Sequence, residues 1–190
     1  MVLLLSNEGH TNPINDGLLF KRRALNMDLF EAIHGRRSVR KYKKEPISKE
    51  TLEKIAEAGK WAASARAEYP WRFVVITEPE RLKSLAAIAG THGKFLADAG
   101  AAIVVASKDA KYYIEDGAAA TQNMLLAAYA LGVGTCWVAG DKKDYCPQVL
   151  EFVRAPAGYR LVSIISCGIP GEKPVKIKPE NRDVIIWDTF

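Results

Sequence analysis

One long stretch, residues 109–131 (DAKYYIEDGAAATQNMLLAAYAL), constrains the fold of this chain more than any other. From Ala118 onward its apolar residues fall on every face of a helix, and such a helix is buried in a protein or in a membrane. Three polar residues argue against a membrane span: Asp116, Gln122 and Asn123. We expect a central helix that Asp109 caps and Gly132 closes. Its apolar surface exceeds what one small sheet can cover, which predicts a homodimer.

Composition narrows the class of protein. The chain has 190 residues, as expected for one domain, and a net charge of +5 that suits an anionic small molecule or a nucleic acid. A nucleic-acid binder would interleave aromatic with basic residues on a surface, whereas the aromatic residues here lie mostly in strand patterns. Three cysteines without a CxxC pair indicate reduced thiols in a cytoplasmic protein. Three scattered histidines predict no metal site.

The first 26 residues differ from the rest. They contain many loop-forming residues and an apolar run far shorter than a signal-peptide core. A strongly patterned segment begins at Met27, which we expect to be the functional start. The sequence therefore predicts a flexible leader over 1–26 and a single domain over 27–190.

Periodicity places further elements around the central helix. Helical spacing predicts helices over 28–34, with Leu29, Phe30 and Ile33 facing inward, over 48–63 with Ser48 as its cap, and over 142–153. A capping box at 77–80 predicts another helix toward Ala89. Apolar, β-branched runs predict strands over 71–76, 101–107, 135–138 and 161–167. Because helices and strands do not alternate regularly, the fold class is α+β.

A basic segment follows the first helix. Arg36, Arg37, Ser38 and Arg40 present guanidinium forks and a hydroxyl, which are donors suited to a phosphate. A solvated basic run is the alternative, although Val39 between two arginines favours packing of one side inward. Lys176 and Lys178 either complete an anion site or are surface charge.

Two loops have amino-acid compositions typical of segments that contact a ligand. Small residues over 62–67, ahead of Trp71, would let a flat ligand lie against backbone, with an ordinary helix-to-strand connection as the alternative. Gly132 and Gly134 beside a strand indicate a close backbone approach or a plain turn. Cys136 lies near these features, but no histidine pairs with it in the sequence, so we predict no Cys–His nucleophile.

Taken in order, these stretches resemble the FMN-dependent nitroreductase family. The pieces are RRSVRKY, ASA…PWRFVVI, DGAAATQNMLLAAYALGVGTCWV, SIISCGIP and a basic Pro-rich tail, and they span Met27 to Phe190. The resemblance implies a mainly antiparallel mixed sheet flanked by helices. It also implies an intertwined homodimer packed along the long central helices, with two FMN sites at the interface.

The resemblance also implies roles for individual residues. Arg36, Arg37 and Ser38 would hold the FMN phosphate and ribityl chain, and Arg40 would stabilise charge on the flavin. The tail would add contacts from Lys176 and Lys178. The partner's loop would add Ser64, Ala65 and Arg66, and the strand after the central helix would add Trp137, Val138 and Ala139.

The implied activity is NADH- or NADPH-driven, ping-pong reduction of small aromatic acceptors such as nitroaromatics or quinones. The flavin carries the chemistry, so no catalytic acid–base pair is required. Relatives that act on flavin itself or on halogenated aromatics are alternatives.

One loop departs from the family pattern. Where the family typically has PSxxNxQPW, this chain carries Ala63, Ala67 and Tyr69 in place of the Pro, Asn and Gln. The loop therefore lacks side chains that would contact FMN, which keeps a flavin-binding protein without turnover as an alternative. Tyr69 would either stack over the flavin or close the substrate side.

Overall fold

The computed structural model describes residues 27–173 and 184–190. Its helices are α1 (Leu29–Gly35), α2 (Lys49–Lys60), α3 (Pro79–Ala89), α4 (Tyr113–Ala130) and α5 (Cys146–Phe152), and short 3₁₀ helices span Ala65–Ala67 and Gly90–Asp98. Its strands are β1 (Trp71–Ile76), β2 (Ala101–Lys108), β3 (Gly134–Ala139) and β4 (Tyr159–Gly168). The predicted leader over 1–26 and the tail lysines Lys176 and Lys178 lie outside the described residues.

The four strands form one antiparallel sheet in the order β1-β2-β4-β3. A parallel bridge between Ser38 and Thr135 places the basic segment alongside β3, at the edge opposite β1. The predicted α+β class and mainly antiparallel mixed sheet are confirmed.

Helices cover both faces of this sheet. On one face α2 and α4 pack on side chains that include Ile103, Val105 and Ile165. On the other face α3, the 3₁₀ helix Gly90–Asp98 and α5 pack on side chains that include Val104 and Ile164. The side chains of β2 and β4 alternate between the two cores, so these two central strands are buried along almost their whole length.

The central helix is shorter at its start than the sequence suggests. It begins at Tyr113 without a side-chain cap, whereas Asp109 lies 3.6 Å from Arg160 in an ion pair. The predicted capping role of Asp109 is therefore wrong. The other end is as predicted: the helix stops at Ala130, and Gly132 follows with a φ of 76° that glycine adopts without steric cost.

The first helix corrects a second prediction. Asp28 caps it by accepting hydrogen bonds from Phe30 N and Glu31 N. Its large apolar side chains nevertheless face outward in the single chain, because Leu29, Phe30 and Ile33 are 61%, 64% and 38% exposed.

Two other helix starts also differ from the pattern. The proposed capping box at 77–80 does not form, since Glu78 makes no side-chain cap hydrogen bond and Pro79 begins α3 instead. Helix α5 begins at Cys146 rather than at Lys142, and Lys142 has a φ of 67°, outside the right-handed helical region. No helix in the described part of the chain is long and apolar enough to cross a bilayer.

Candidate functional site

The basic segment lies alongside β3. Val39 N donates to Thr135 O at 2.9 Å, and the Val39 side chain is buried against Gly134. Ser38, the residue before Val39, pairs in parallel with Thr135, and Arg36 lines the same cavity as Val39. The inward packing that Val39 predicted is present.

Arg36, Ser38 and Arg40 converge on the thiol of Cys136. Burial raises the pKa of that thiol, whereas the neighbouring Arg40, Ser38 and Arg36 side chains act in the opposite direction. The Arg40 guanidinium also lies 5.9 Å from the centre of the Phe95 ring. We call Arg36, Ser38 and Arg40 the donor cluster. A buried thiol with a raised pKa is a poor nucleophile, in keeping with the rejection of Cys136 in that role.

Arg36 and Arg40 bring two positive charges to the donor cluster. Burial, and then the neighbouring charge of Arg37, lower the pKa of Arg36. Among the described residues, no carboxylate forms an ion pair with Arg36 or Arg40. A bound anion would relieve this unfavourable arrangement, so the chemistry of the cluster fits a phosphate group.

Arg37 has a different role within the chain. Its Nη1 donates to His34 O at 2.5 Å and to Arg36 O at 2.9 Å, so its guanidinium binds the C-terminal end of α1. The segment beyond it is held by Glu172, whose Oε1 accepts from Arg40 N at 3.0 Å and from Lys41 N at 3.2 Å. These contacts fix the backbone from which the donor cluster projects.

The residues predicted on β3 are not equally accessible. Trp137 packs against the core beneath α2 and α4, and Val138 is buried in the opposite core. Ala139 is exposed at the strand end, where its carbonyl accepts from Tyr145 Oη. Of these three residues, Ala139 is therefore the most accessible to a ligand, whereas Trp137 is half-buried.

The loop residues Ser64, Ala65 and Arg66 lie elsewhere. Ser64 Oγ donates to Asp116 Oδ2 at 2.8 Å, and Ala65 N donates to Asp116 Oδ1 at 3.0 Å. Ser64 Oγ also accepts from Tyr69 N at 2.9 Å. Asp116, only 6% exposed, therefore holds this loop. From the sequence alone Asp116 is only a polar interruption of an apolar helix, because its partners Ser64 and Ala65 lie far away in the chain.

The same loop is strained. Arg66, Ala67 and Tyr69 have φ values of 55°, 54° and 46°, in the left-handed region that side chains other than glycine seldom adopt. Such strain costs on the order of 1–3 kcal/mol per residue and clusters at functional sites. The hydrogen bonds to Asp116 are what maintain it.

The donor cluster and this loop occupy opposite edges of the sheet. The loop leads into β1, the cluster lies beside β3, and three inter-strand spacings of ~4.8 Å put roughly 14 Å between those edges. One chain therefore does not bring all of the predicted site residues together.

Two cavities flank these groups. The first, of about 360 Å³, lies between α1, the end of α4 and β3, and Arg36, Tyr129 and Thr135 are among its lining residues. The second, of about 650 Å³, lies beside the strained loop and is lined by Trp61, Tyr69 and Trp71 among others. Each is within the size range of small-molecule sites.

Comparison with known proteins identifies the family. The nitroreductase family model matches residues 33–94 and 87–169. A protein of Archaeoglobus fulgidus, named as an NADH dehydrogenase or NAD(P)H nitroreductase, is 37% identical over 162 residues, covering 82% of this chain and 92% of that protein. Among solved structures, a protein of Parabacteroides distasonis with a name of the same kind superimposes with a TM-score of 0.81 at 31% identity, covering 85% of this chain and 98% of that one. An FMN-dependent nitroreductase from Clostridium difficile superimposes with a TM-score of 0.80 at 29% identity, covering 85% and 99%. This chain belongs to the nitroreductase family.

Proposed function

We propose that this protein uses NADH or NADPH to reduce small aromatic acceptors, such as nitroaromatics or quinones, through bound FMN. Its family makes it an NAD(P)H-dependent flavin oxidoreductase in general terms. The observation that carries the assignment is the donor cluster, whose cations have no carboxylate partner among the described residues.

The chain segment that carries the donor cluster runs in the same direction as β3. Because Ser38 pairs in parallel with Thr135, the chain from Arg36 to Arg40 runs the same way as β3, toward the exposed end at Ala139. A phosphate at Arg36 and Ser38 would place the flavin ring toward Arg40 and the backbone after Ala139. Lys176 and Lys178 would close over the phosphate.

The chemistry itself belongs to the cofactor: bound FMN supplies electron transfer between the nicotinamide donor and the acceptor. The chain binds and orients it. Arg40 places a fixed positive charge beside the ring, and no acid–base pair is needed.

The spectrum of the purified protein tests this function. We expect a visible flavin absorbance whose cofactor is released by denaturation and has the mass of FMN. We further expect oxidation of NADH or NADPH when a quinone or nitroaromatic is added. A colourless protein that does not bind added FMN would refute the assignment. Bound FMN without oxidation of either nucleotide would establish the alternative, a flavin-binding protein without turnover.

The active form in this proposal is a homodimer with shared sites. Three observations support it: the separation of the donor cluster from the 64–66 loop, the exposed apolar face of α1, and the incomplete cover of α4. In a dimer, the loop of one copy would approach the donor cluster of the other. The three free cysteines are compatible with a reducing cytoplasm.

A charge on the exposed face of α1 should separate the copies. Phe30→Glu is expected to give a monomer by light scattering at micromolar concentration and to lose most FMN binding, because a carboxylate would be buried in an apolar interface. Ala87→Glu, which adds the same charge to an exposed position of α3, should leave a dimer with FMN bound. A wild-type protein that is monomeric with FMN bound would rule out shared sites.

A further inference from the structure

The cavity of about 650 Å³ has a wall of aromatic rings. Trp71 and Phe73 stack with their ring centres 6.4 Å apart and their planes 10° from parallel. Tyr69 meets Trp71 edge to face at 5.8 Å and 70°. Trp61, at the end of α2, lines the same cavity and is 80% exposed, although large aromatic side chains are rarely left so open.

The position of Trp61 is fixed although it is exposed. Its indole Nε1 donates to Glu57 Oε1 at 3.2 Å, and Glu57 Oε2 accepts from Lys60 Nζ at 2.7 Å. These hydrogen bonds orient the indole plane at the mouth of the cavity. A ring that is oriented and exposed at once is suited to stack with a ligand.

The position of Tyr69 is fixed at the cost of backbone strain. Its φ is 46°, and its backbone N–H donates to Ser64 Oγ, which itself donates to the buried carboxylate of Asp116. The chain from Asp116 through Ser64 therefore holds Tyr69 against Trp71. A preformed wall reduces the entropy that a ligand loses on binding.

The charges at the cavity are unequal. Lys60 and Glu57 form an ion pair with each other at 2.7 Å, so the charge left over among the lining residues is the positive charge of Arg72. This balance favours a ligand that combines a flat ring with a negative substituent.

We propose that this cavity binds a planar aromatic molecule bearing a carboxylate or a similar acidic group, stacked between Trp61 and Tyr69, and that Asp116 is the positioning residue for Tyr69. The role of this molecule as the electron acceptor rests on the proposed function, whereas its binding in the cavity does not depend on that function. In a shared-site dimer, the 64–69 loop would bring the cavity beside the partner's flavin, which narrows the acceptors to acidic aromatics.

Calorimetric titration with 4-nitrobenzoate tests the site on the full-length protein, with and without added FMN. We expect saturable binding of one molecule per chain in both forms, and weaker binding of the neutral analogue 4-nitrobenzyl alcohol. Trp61→Leu and Tyr69→Leu should each weaken 4-nitrobenzoate binding by about tenfold, the effect of losing one stacked ring. Trp187→Leu, a matched change at an exposed tryptophan that does not line the cavity, should have no effect.

A double-mutant cycle tests the role of Asp116. Asp116→Asn should weaken 4-nitrobenzoate binding in the wild-type background but have little further effect in the Tyr69→Leu background, because the carboxylate acts through Tyr69. A purely structural role for Asp116 would give equal losses in both backgrounds and would overturn the positioning assignment.

The remaining outcomes separate the two proposals. Probe binding in a protein that takes up no FMN would refute the proposed function and leave the aromatic site standing. Bound FMN without saturable probe binding would overturn the site alone. Conversion of the dimer to a monomer by Trp61→Leu would also overturn the aromatic site, since the wall would then be a contact between copies.

Ala56→Leu, which fills the cavity from α2, should abolish probe binding, and normal binding to this variant would exclude the cavity as the binding site.

Discussion

Replacing Gly140 by alanine is expected to lower the free energy of unfolding by about 3 kcal/mol, near the upper end of the usual cost of overpacking. A Cβ at this position would lie 2.4 Å from Val162 O, 2.5 Å from Val162 C and 2.8 Å from Ser163 N. All three are backbone atoms of β4, a central strand that pairs on both sides and cannot move away. For a chain of this size, the thermal midpoint should fall by roughly 6–12 °C, measured by circular dichroism.

Gly59→Ala is the matched control for this change. Its added Cβ would lie 3.0–3.1 Å from the Cγ and Sδ atoms of Met124 and from Cζ of Phe73, which are side-chain atoms, and methionine adapts readily. Alanine also favours the helix over glycine by about 1 kcal/mol, so this variant should have near wild-type stability. Equal midpoints for Gly140→Ala and the wild type would show that β3 and β4 are less tightly apposed than the structure has them.

The sheet could be predicted from the sequence because each strand is a local feature. β1 has the predicted bounds, and each of the other strands differs from its prediction by no more than two residues at either end. Apolar, β-branched runs bounded by turn residues carry this information within ten residues. The strand order cannot be obtained in this way, since it depends on pairings between distant segments.

The outward-facing side chains of α1 show what helical periodicity in a sequence cannot predict. Helical spacing correctly groups Leu29, Phe30 and Ile33, but it cannot say which surface covers them. Within the residues that the structure describes, no surface covers them. Apolar periodicity predicts which side chains share a face, but the surface that covers this face is not contained in the pattern.

Those parts of the candidate site that come from one short stretch of sequence could be predicted. The donor cluster follows from five consecutive residues, and the burial of Val39 follows from its being an apolar residue between two arginines. The role of Asp116 could not be predicted, because its partners Ser64 and Ala65 lie about fifty residues earlier in the chain. The positive φ values of the same loop were hidden for a related reason: tertiary hydrogen bonds impose them on residues with no preference for that conformation.

Replacement of Arg36 and replacement of Arg40 should affect different properties of the bound flavin, its affinity in the first case and its reduction potential in the second. Arg36→Ala should weaken FMN binding by about 1.5–3 kcal/mol, the value of a hydrogen bond to a charged group, with little change in reduction potential. The phosphate it would contact keeps its charge during turnover. Arg40→Ala should instead lower the potential of the bound flavin, because a cation beside the ring favours the more negative, reduced cofactor.

The size of the Arg40 effect follows from the same interaction energy. If 1.5–3 kcal/mol of stabilisation is specific to the reduced state, a two-electron potential should fall by about 30–60 mV. Arg40→Lys should retain much of the wild-type potential, since the charge remains although the fork does not. Arg81→Ala is the control: Arg81 lies 4.6 Å from the centre of the Phe152 ring, much as Arg40 lies over Phe95, but outside the donor cluster. Potentiometric titration of FMN-saturated proteins should leave Arg81→Ala at the wild-type value. An Arg40→Ala protein at that same value would mean that the ring does not lie beside Arg40, and that this arginine belongs with Arg36 at the phosphate or with the solvent.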